Sequence, residues 1–96
     1  MSLYLTAIIT GKPGSAAELK EVLQNVVQPS RQEKACIQYD LHQSAADENV
    51  FIFHEEWADE AGFAAHNQQP YIRDFIEKAN ALAAGPILIH FTNRLA

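Results

Sequence analysis

Val50 to Trp57 is rich in β-branched and aromatic residues and has the period of a strand, and from Asp59 onward apolar side chains recur at three- and four-residue intervals. Alternation sends neighbours to opposite faces of a strand, whereas the longer interval lines one side of a helix. A strand therefore hands over directly to a helix in the stretch Phe51 to His66. The alternation also sorts the strand's side chains. Phe51, Phe53, Glu55 and Trp57 share one face, and Val50, Ile52, His54 and Glu56 share the other. A site built at this joint can draw on one of those sets, not both.

The remaining segments repeat the same two periods. Ser2 to Thr10 reads as a strand with Leu3, Leu5, Ala7 and Ile9 opposite Tyr4, Thr6 and Ile8, and Gly11-Lys12-Pro13-Gly14 stops it. Ser15-Ala16-Ala17-Glu18 has the spacing of a capping box, and Leu19, Val22, Leu23, Val26 and Val27 form the stripe of an amphipathic helix. Pro29 predicts a kink or an end there, with a polar segment from Ser30 to Lys34 leading out. Ala35 to Gln43 alternates again, with Ile37, Tyr39 and Leu41 on one face and Cys36, Gln38, Asp40 and His42 on the other. The polar loop Ser44 to Asn49 joins it to the third strand as an antiparallel hairpin. Asp59 is placed to cap the next helix, on which Phe63 and His66 share a side. Gln69-Pro70 restarts that helix, and Tyr71, Ile72, Phe75, Ile76, Ala79 and Leu82 continue its apolar stripe. Gly85-Pro86 ends it, and Ile87 to Leu95 is the last strand.

The order β-α-β-β-α-β predicts an α+β, ferredoxin-like fold: a four-stranded antiparallel sheet with two helices on one face. The 96 residues are read as one domain, 1–96. Two helices cover one sheet face, yet the strands carry apolar residues on both. A second copy of the chain, stacked sheet to sheet, is the simplest cover, so a homodimer is expected.

Composition excludes other classes. The net charge of -5, with no cluster of lysine or arginine, argues against nucleic acid or an anionic membrane as partner. The apolar run Pro86 to Phe91 is too short to span a bilayer, and the first residues read as a strand rather than a signal peptide. A lone cysteine, Cys36, makes no intrachain disulfide and no thiolate zinc site, and a cytoplasmic location is the simplest expectation. His54-Glu55-Glu56 is no metal signature, because neighbouring strand residues diverge; no metal is expected. Cys36 has no basic neighbour to activate it and reads as a small apolar residue.

Ser30 to Ser44, with its glutamate, small residue, cysteine and tyrosine, then Glu55-Glu56-Trp57 and Ala65-His66, resembles the antibiotic biosynthesis monooxygenase family, its small quinol-monooxygenase-like members most closely. Ala35 stands where many relatives carry glycine. The resemblance covers essentially the whole chain. It implies a dimeric α/β barrel of two ferredoxin-like chains with a pocket between sheet and helices in each. It also implies oxidation of electron-rich quinols, phenols or anthrones by dioxygen without flavin, haem or metal, so that no cofactor is expected. Haem-degrading relatives carry an asparagine on the first strand, which Ser2 to Thr10 lacks.

Such chemistry needs a base, a dry pocket and stabilisation of an anion. Carried onto this chain, the resemblance makes His66 the catalytic candidate, as base or as hydrogen-bond donor to a substrate oxygen; the plain alternative is a histidine tying helix to sheet. Trp57 would stack on a flat aromatic substrate, with Tyr39, Tyr71 and Phe75 lining the same cavity, or all four are core. His42, His54, His90 and Glu56 are expected at the dimer interface, and Arg31 and Glu33 are expected to serve structure near the second strand. The alternatives to oxygenation are an isomerase or degrader of a small metabolite, which for a phosphate would need a cationic pocket, and a non-enzymatic dimeric binding or stress protein.

Overall fold

The computed structural model describes residues 1–96. Four strands, β1 (Leu3–Thr10), β2 (Cys36–Gln43), β3 (Val50–Trp57) and β4 (Leu88–Thr92), form one sheet in the order β2-β3-β1-β4. Every neighbouring pair is antiparallel. The helices are α1 (Ala16–Gln24), a short α2 (Val27–Arg31), α3 (Glu60–Gln68) and α4 (Pro70–Leu82). This is the ferredoxin-like α+β arrangement expected from the period changes, with each helical layer split in two.

The core lies between helices and sheet. Leu5, Ala7 and Ile9 of β1, Tyr39 of β2 and Phe51, Phe53 and Trp57 of β3 face Leu19 and Leu23 of α1 and Ile72 and Ala79 of α4. Register explains the shared face: Leu5 pairs with Glu55, Ala7 with Phe53, Ile9 with Phe51 and Tyr39 with Glu55. The opposite face carries three cross-strand rows. They are Leu88–Ile8–Ile52–His42, His90–Thr6–His54–Asp40 and Thr92–Tyr4–Glu56–Gln38. No segment of the chain covers that face.

Local chemistry moved some boundaries. Asp59 caps α3 as expected, its Oδ1 accepting from the Gly62 amide at 2.7 Å. Ser15 precedes α1 but makes no side-chain cap bond, so the capping-box expectation fails there. The first helix breaks at Asn25–Val26, ahead of Pro29, because proline has no N–H to bond the carbonyl four residues back. Pro29 then sits in the first turn of α2, where a missing donor costs nothing, and Ser30 and Arg31 are helical rather than loop. A bulge in β2 sets Cys36 opposite Trp57 and Gln38 opposite Glu56. Ile37 is the extra residue and is 57% exposed, so it does not join Tyr39 and Leu41 on the core face, and Cys36 does. The last strand is shorter than Ile87 to Leu95, ending at Thr92.

Candidate functional site

Glu33 lies in the turn between α2 and β2, and that turn is held from both sides. The Cys36 amide donates to the Glu33 carbonyl at 3.0 Å, and the Ala58 amide to the Ala35 carbonyl at 2.8 Å. Gly62 of α3 packs so close to Ala35 that a β-carbon there would collide with it. These contacts bring the Glu33 carboxyl to the last turn of α3. His66 Nδ1 meets its Oε2 at 2.6 Å, and the Tyr71 hydroxyl of α4 donates to the same oxygen. Tyr71 also reaches the buried Ser30 hydroxyl at 3.4 Å. One carboxyl thus ties three elements together.

His66 is 3% exposed and sits among rings. Trp57 lies against it with centroids 4.4 Å apart, Tyr39 at 5.7 Å and Phe63 at 6.2 Å. Burial lowers the imidazole's affinity for a proton, and the bond to Glu33 opposes that only in part. The His66–Glu33 contact is therefore best described as a neutral imidazole donating Nδ1–H to a carboxyl oxygen, not as an ion pair. Its Nε2 is left with a free lone pair and no partner in the chain.

Trp57 is fully buried, and its Nε1 donates to Glu55 Oε1 at 2.9 Å. Glu55 is 8% exposed with no cation beside it. Burial pushes its carboxyl up to about 7; the Trp57 N–H pulls it down, and nearby Glu33 raises it further. The same environment raises Cys36 to about 11, chiefly by burial, which keeps it a thiol, and burial holds the Tyr39 phenol well above its usual value.

These groups border a cavity of about 360 Å³ between the sheet and α3 and α4, with Ile87 and Ile89 also in its lining. Its walls are largely aliphatic and aromatic, from Leu5, Ile9, Phe53, Phe63, Ile72 and Phe75. The polar side chains in them are Glu55, His66, Tyr39, Asn67 and Asn80. Glu55 and His66 both line this space, and neither His66 Nε2 nor Glu55 Oε2 has a hydrogen-bond partner within the chain. A wider groove of about 890 Å³ outside Phe63 and Phe91 shares Phe63 and Asn67 with the cavity, but its acids, Asp59 and Glu60, are exposed at the start of α3.

Of the residues expected from sequence, His66, Tyr39 and Phe75 border the cavity. Trp57 and Tyr71 lie one layer back, Trp57 behind His66 and Glu55, Tyr71 against Glu33. Glu55 and Glu33 were not among the expected site residues. Glu55 had a signal, a charge on the face of β3 otherwise made of Phe51, Phe53 and Trp57. Glu33 belongs to the stretch that carries the family resemblance, but reads as structural, since its partner lies 33 positions away. Arg31 donates to the Tyr39 carbonyl at 2.9 Å and to Asp40 at 3.0 Å, so it fastens α2 to β2. No group of three His, Cys, Asp or Glu side chains converges as a metal-binding set.

The sheet, the cavity and the carboxyl-held histidine together define a ferredoxin-like α+β protein. The antibiotic biosynthesis monooxygenase family model matches residues 2–78, and the chain belongs to that family. It is 35% identical over 85 residues to the Bacillus subtilis (strain 168) protein named "Putative monooxygenase YcnE", covering 88% of this chain and 90% of that one. The crystal structure of PA3566 from Pseudomonas aeruginosa shares 38% of its residues and superposes with a TM-score of 0.93, over 99% of this chain and 95% of that one. A crystal structure of an antibiotic biosynthesis monooxygenase, 24% identical, gives a TM-score of 0.92 over 98% of this chain and 99% of that one, a likeness of fold.

Proposed function

We propose that the chain is a monooxygenase that oxidises a small electron-rich aromatic, a quinol, phenol or anthrone, with dioxygen and without a bound cofactor. The observation that carries this reading is His66: a neutral imidazole held through Nδ1 by Glu33, in the wall of an aliphatic and aromatic cavity. A base in that position takes the proton from a phenol or an activated C–H, and the resulting anion is electron-rich enough to reduce dioxygen. The reaction balances without an outside reductant. Dioxygen takes up four electrons, and the substrate supplies all four as one carbon gains oxygen and the ring passes to the quinone level.

The cavity lies within the range of about 300–1,000 Å³ common for small-ligand sites. Tyr39 and Phe75 would flank the ring, while Trp57 and Tyr71 hold His66 and Glu33 in place. A phosphorylated substrate fits poorly. No lysine or arginine borders the cavity, and Arg31, Arg73 and Arg94 bond to other groups of the chain, so nothing in the wall would hold a phosphate. The sheet's uncovered face, with its Leu88–Ile8–Ile52 row, is assigned to a second copy of the chain. A cytoplasmic homodimer is the resulting form.

Oxygen uptake measured with a panel of naphthohydroquinones, naphthols and anthrone tests the reading. Turnover should fall by about a hundredfold or more in His66→Ala. No uptake with any of them, or an unchanged rate in the variant, would remove the basis of the assignment.

A further inference from the structure

We infer that Glu55 is a second catalytic residue of this cavity, the acid that gives a proton to the departing oxygen when a substrate hydroperoxide collapses to a carbonyl and water. The inference rests on the oxygenation reading above and adds to it a residue and a step. Glu55 is the one Asp or Glu in the cavity wall. Its Oε1 is fixed by the Trp57 indole N–H, and its Oε2 has no partner. The same indole lies against His66, with centroids 4.4 Å apart, so one rigid ring aligns the carboxyl and the imidazole on one cavity. Burying a carboxyl without a cation is costly, and an amide would accept the Trp57 bond at a smaller cost. The position thus holds a group whose use is its proton.

The groups that face Glu55 are Glu33 from the α2–β2 turn, Cys36 and Tyr39 from β2 and His66 from α3, none of them a fixed cation. Their combined influence agrees with the geometry. Burial raises the Glu55 carboxyl to about 7, whereas His66 is held below its ordinary value, so close to neutral pH a large share of Glu55 still carries its proton while the base is free.

The steps balance. His66 Nε2 removes a proton from the substrate carbon, the carbanion reduces dioxygen, and the new C–O–O⁻ takes that proton back as C–O–OH. In the collapse His66 removes the remaining C–H proton and the C=O bond forms as O–O breaks. The distal oxygen leaves with the bonding pair, accepts the Glu55 proton and departs as water. Imidazolium and carboxylate then exchange a proton, restoring both. For anthrone the sum is anthrone plus dioxygen to anthraquinone plus water.

Anthrone is therefore the probe, with oxygen uptake, anthraquinone and peroxide recorded together. Glu55→Gln keeps an acceptor for Trp57, and near-ultraviolet circular dichroism checks that it folds. It should still consume oxygen while anthraquinone forms about a hundredfold more slowly and peroxide accumulates; Glu55→Asp should recover part of the rate. In the wild-type chain, raising the pH through about 7 should by itself increase the share of oxygen released as peroxide, and this needs no variant. Wild-type product rate and pH profile in Glu55→Gln, or an equal loss of uptake and product, would overturn the role of Glu55 alone. Absence of oxygen uptake by the wild-type chain, with anthrone and with naphthohydroquinones, would overturn the function and this step together.

Discussion

Glu33 accepts two hydrogen bonds on one oxygen, from His66 and from Tyr71. Both act on the base. The carboxyl orients the imidazole, and it also raises the affinity of His66 for a proton against the lowering by burial. Glu33→Gln removes the second influence, so the His66 titration and the acid limb of the rate profile should both move to lower pH. Proton-detected titration of the His66 ring measures this directly, and a shift to higher pH would contradict the assignment. Glu55 bears on stability as well. Its native carboxyl holds a proton up to about 7, against an ordinary value of 4.5. Between those values the native state binds more protons than the unfolded chain, so stability contributed at Glu55 is complete below 4.5 and lost as pH rises through 7. Glu55→Gln should abolish that part of the pH dependence, on the order of 2–3 kcal/mol, in urea titrations at about pH 5 and about pH 8. His66 has the opposite sign: its native proton affinity is lowered, so its contribution is lost on acidification. Glu55 could be read from the sequence as the odd member of an apolar strand face. The Glu33–His66 pair could not, because only the approach of the α2–β2 turn to α3 creates it.

That approach depends on small residues. Gly62 leaves room for Ala35, and the Asp59 cap fixes where α3 begins. Gly62→Ala should destabilise the chain by about 1–3 kcal/mol through overpacking, and Ala35→Gly in the same chain should restore most of the loss. Urea denaturation of the two single variants and the double variant checks this; additive losses would show that the two sites do not touch. Asp59→Ala should cost about 1 kcal/mol in the same assay. The elements themselves were legible because their periods differ, and Pro70 marked the restart of the second helix. Their details were less so. The Ser15 side chain had the right spacing for a cap and makes no such bond. The β2 bulge turns Ile37 out and Cys36 in, and nothing in an alternating pattern announces the extra residue.

The whole molecule has two unlike faces. One buries the core and the cavity beneath the helices. The other carries an apolar row, Leu88–Ile8–Ile52, beside a row of His90, Thr6, His54 and Asp40. His42 and His54 lie with ring centroids 5.5 Å apart on that face. The two-faced alternation of the strands made an uncovered sheet legible from sequence; that its cover is a second copy is our proposal. Ile8→Asp, Ile52→Asp or both should give a monomer-sized species in sedimentation at micromolar concentration where the wild-type chain sediments as a dimer. A monomeric wild-type chain would remove that part of the account. In the proposed reaction, one oxygen atom of dioxygen enters the aromatic substrate held in this cavity. Turnover under heavy-isotope dioxygen, followed by mass spectrometry, tests it most directly. One labelled oxygen should appear in the quinone product and one in water, and both should be lost in His66→Ala. Product bearing no label, or carrying it equally without His66, would contradict it.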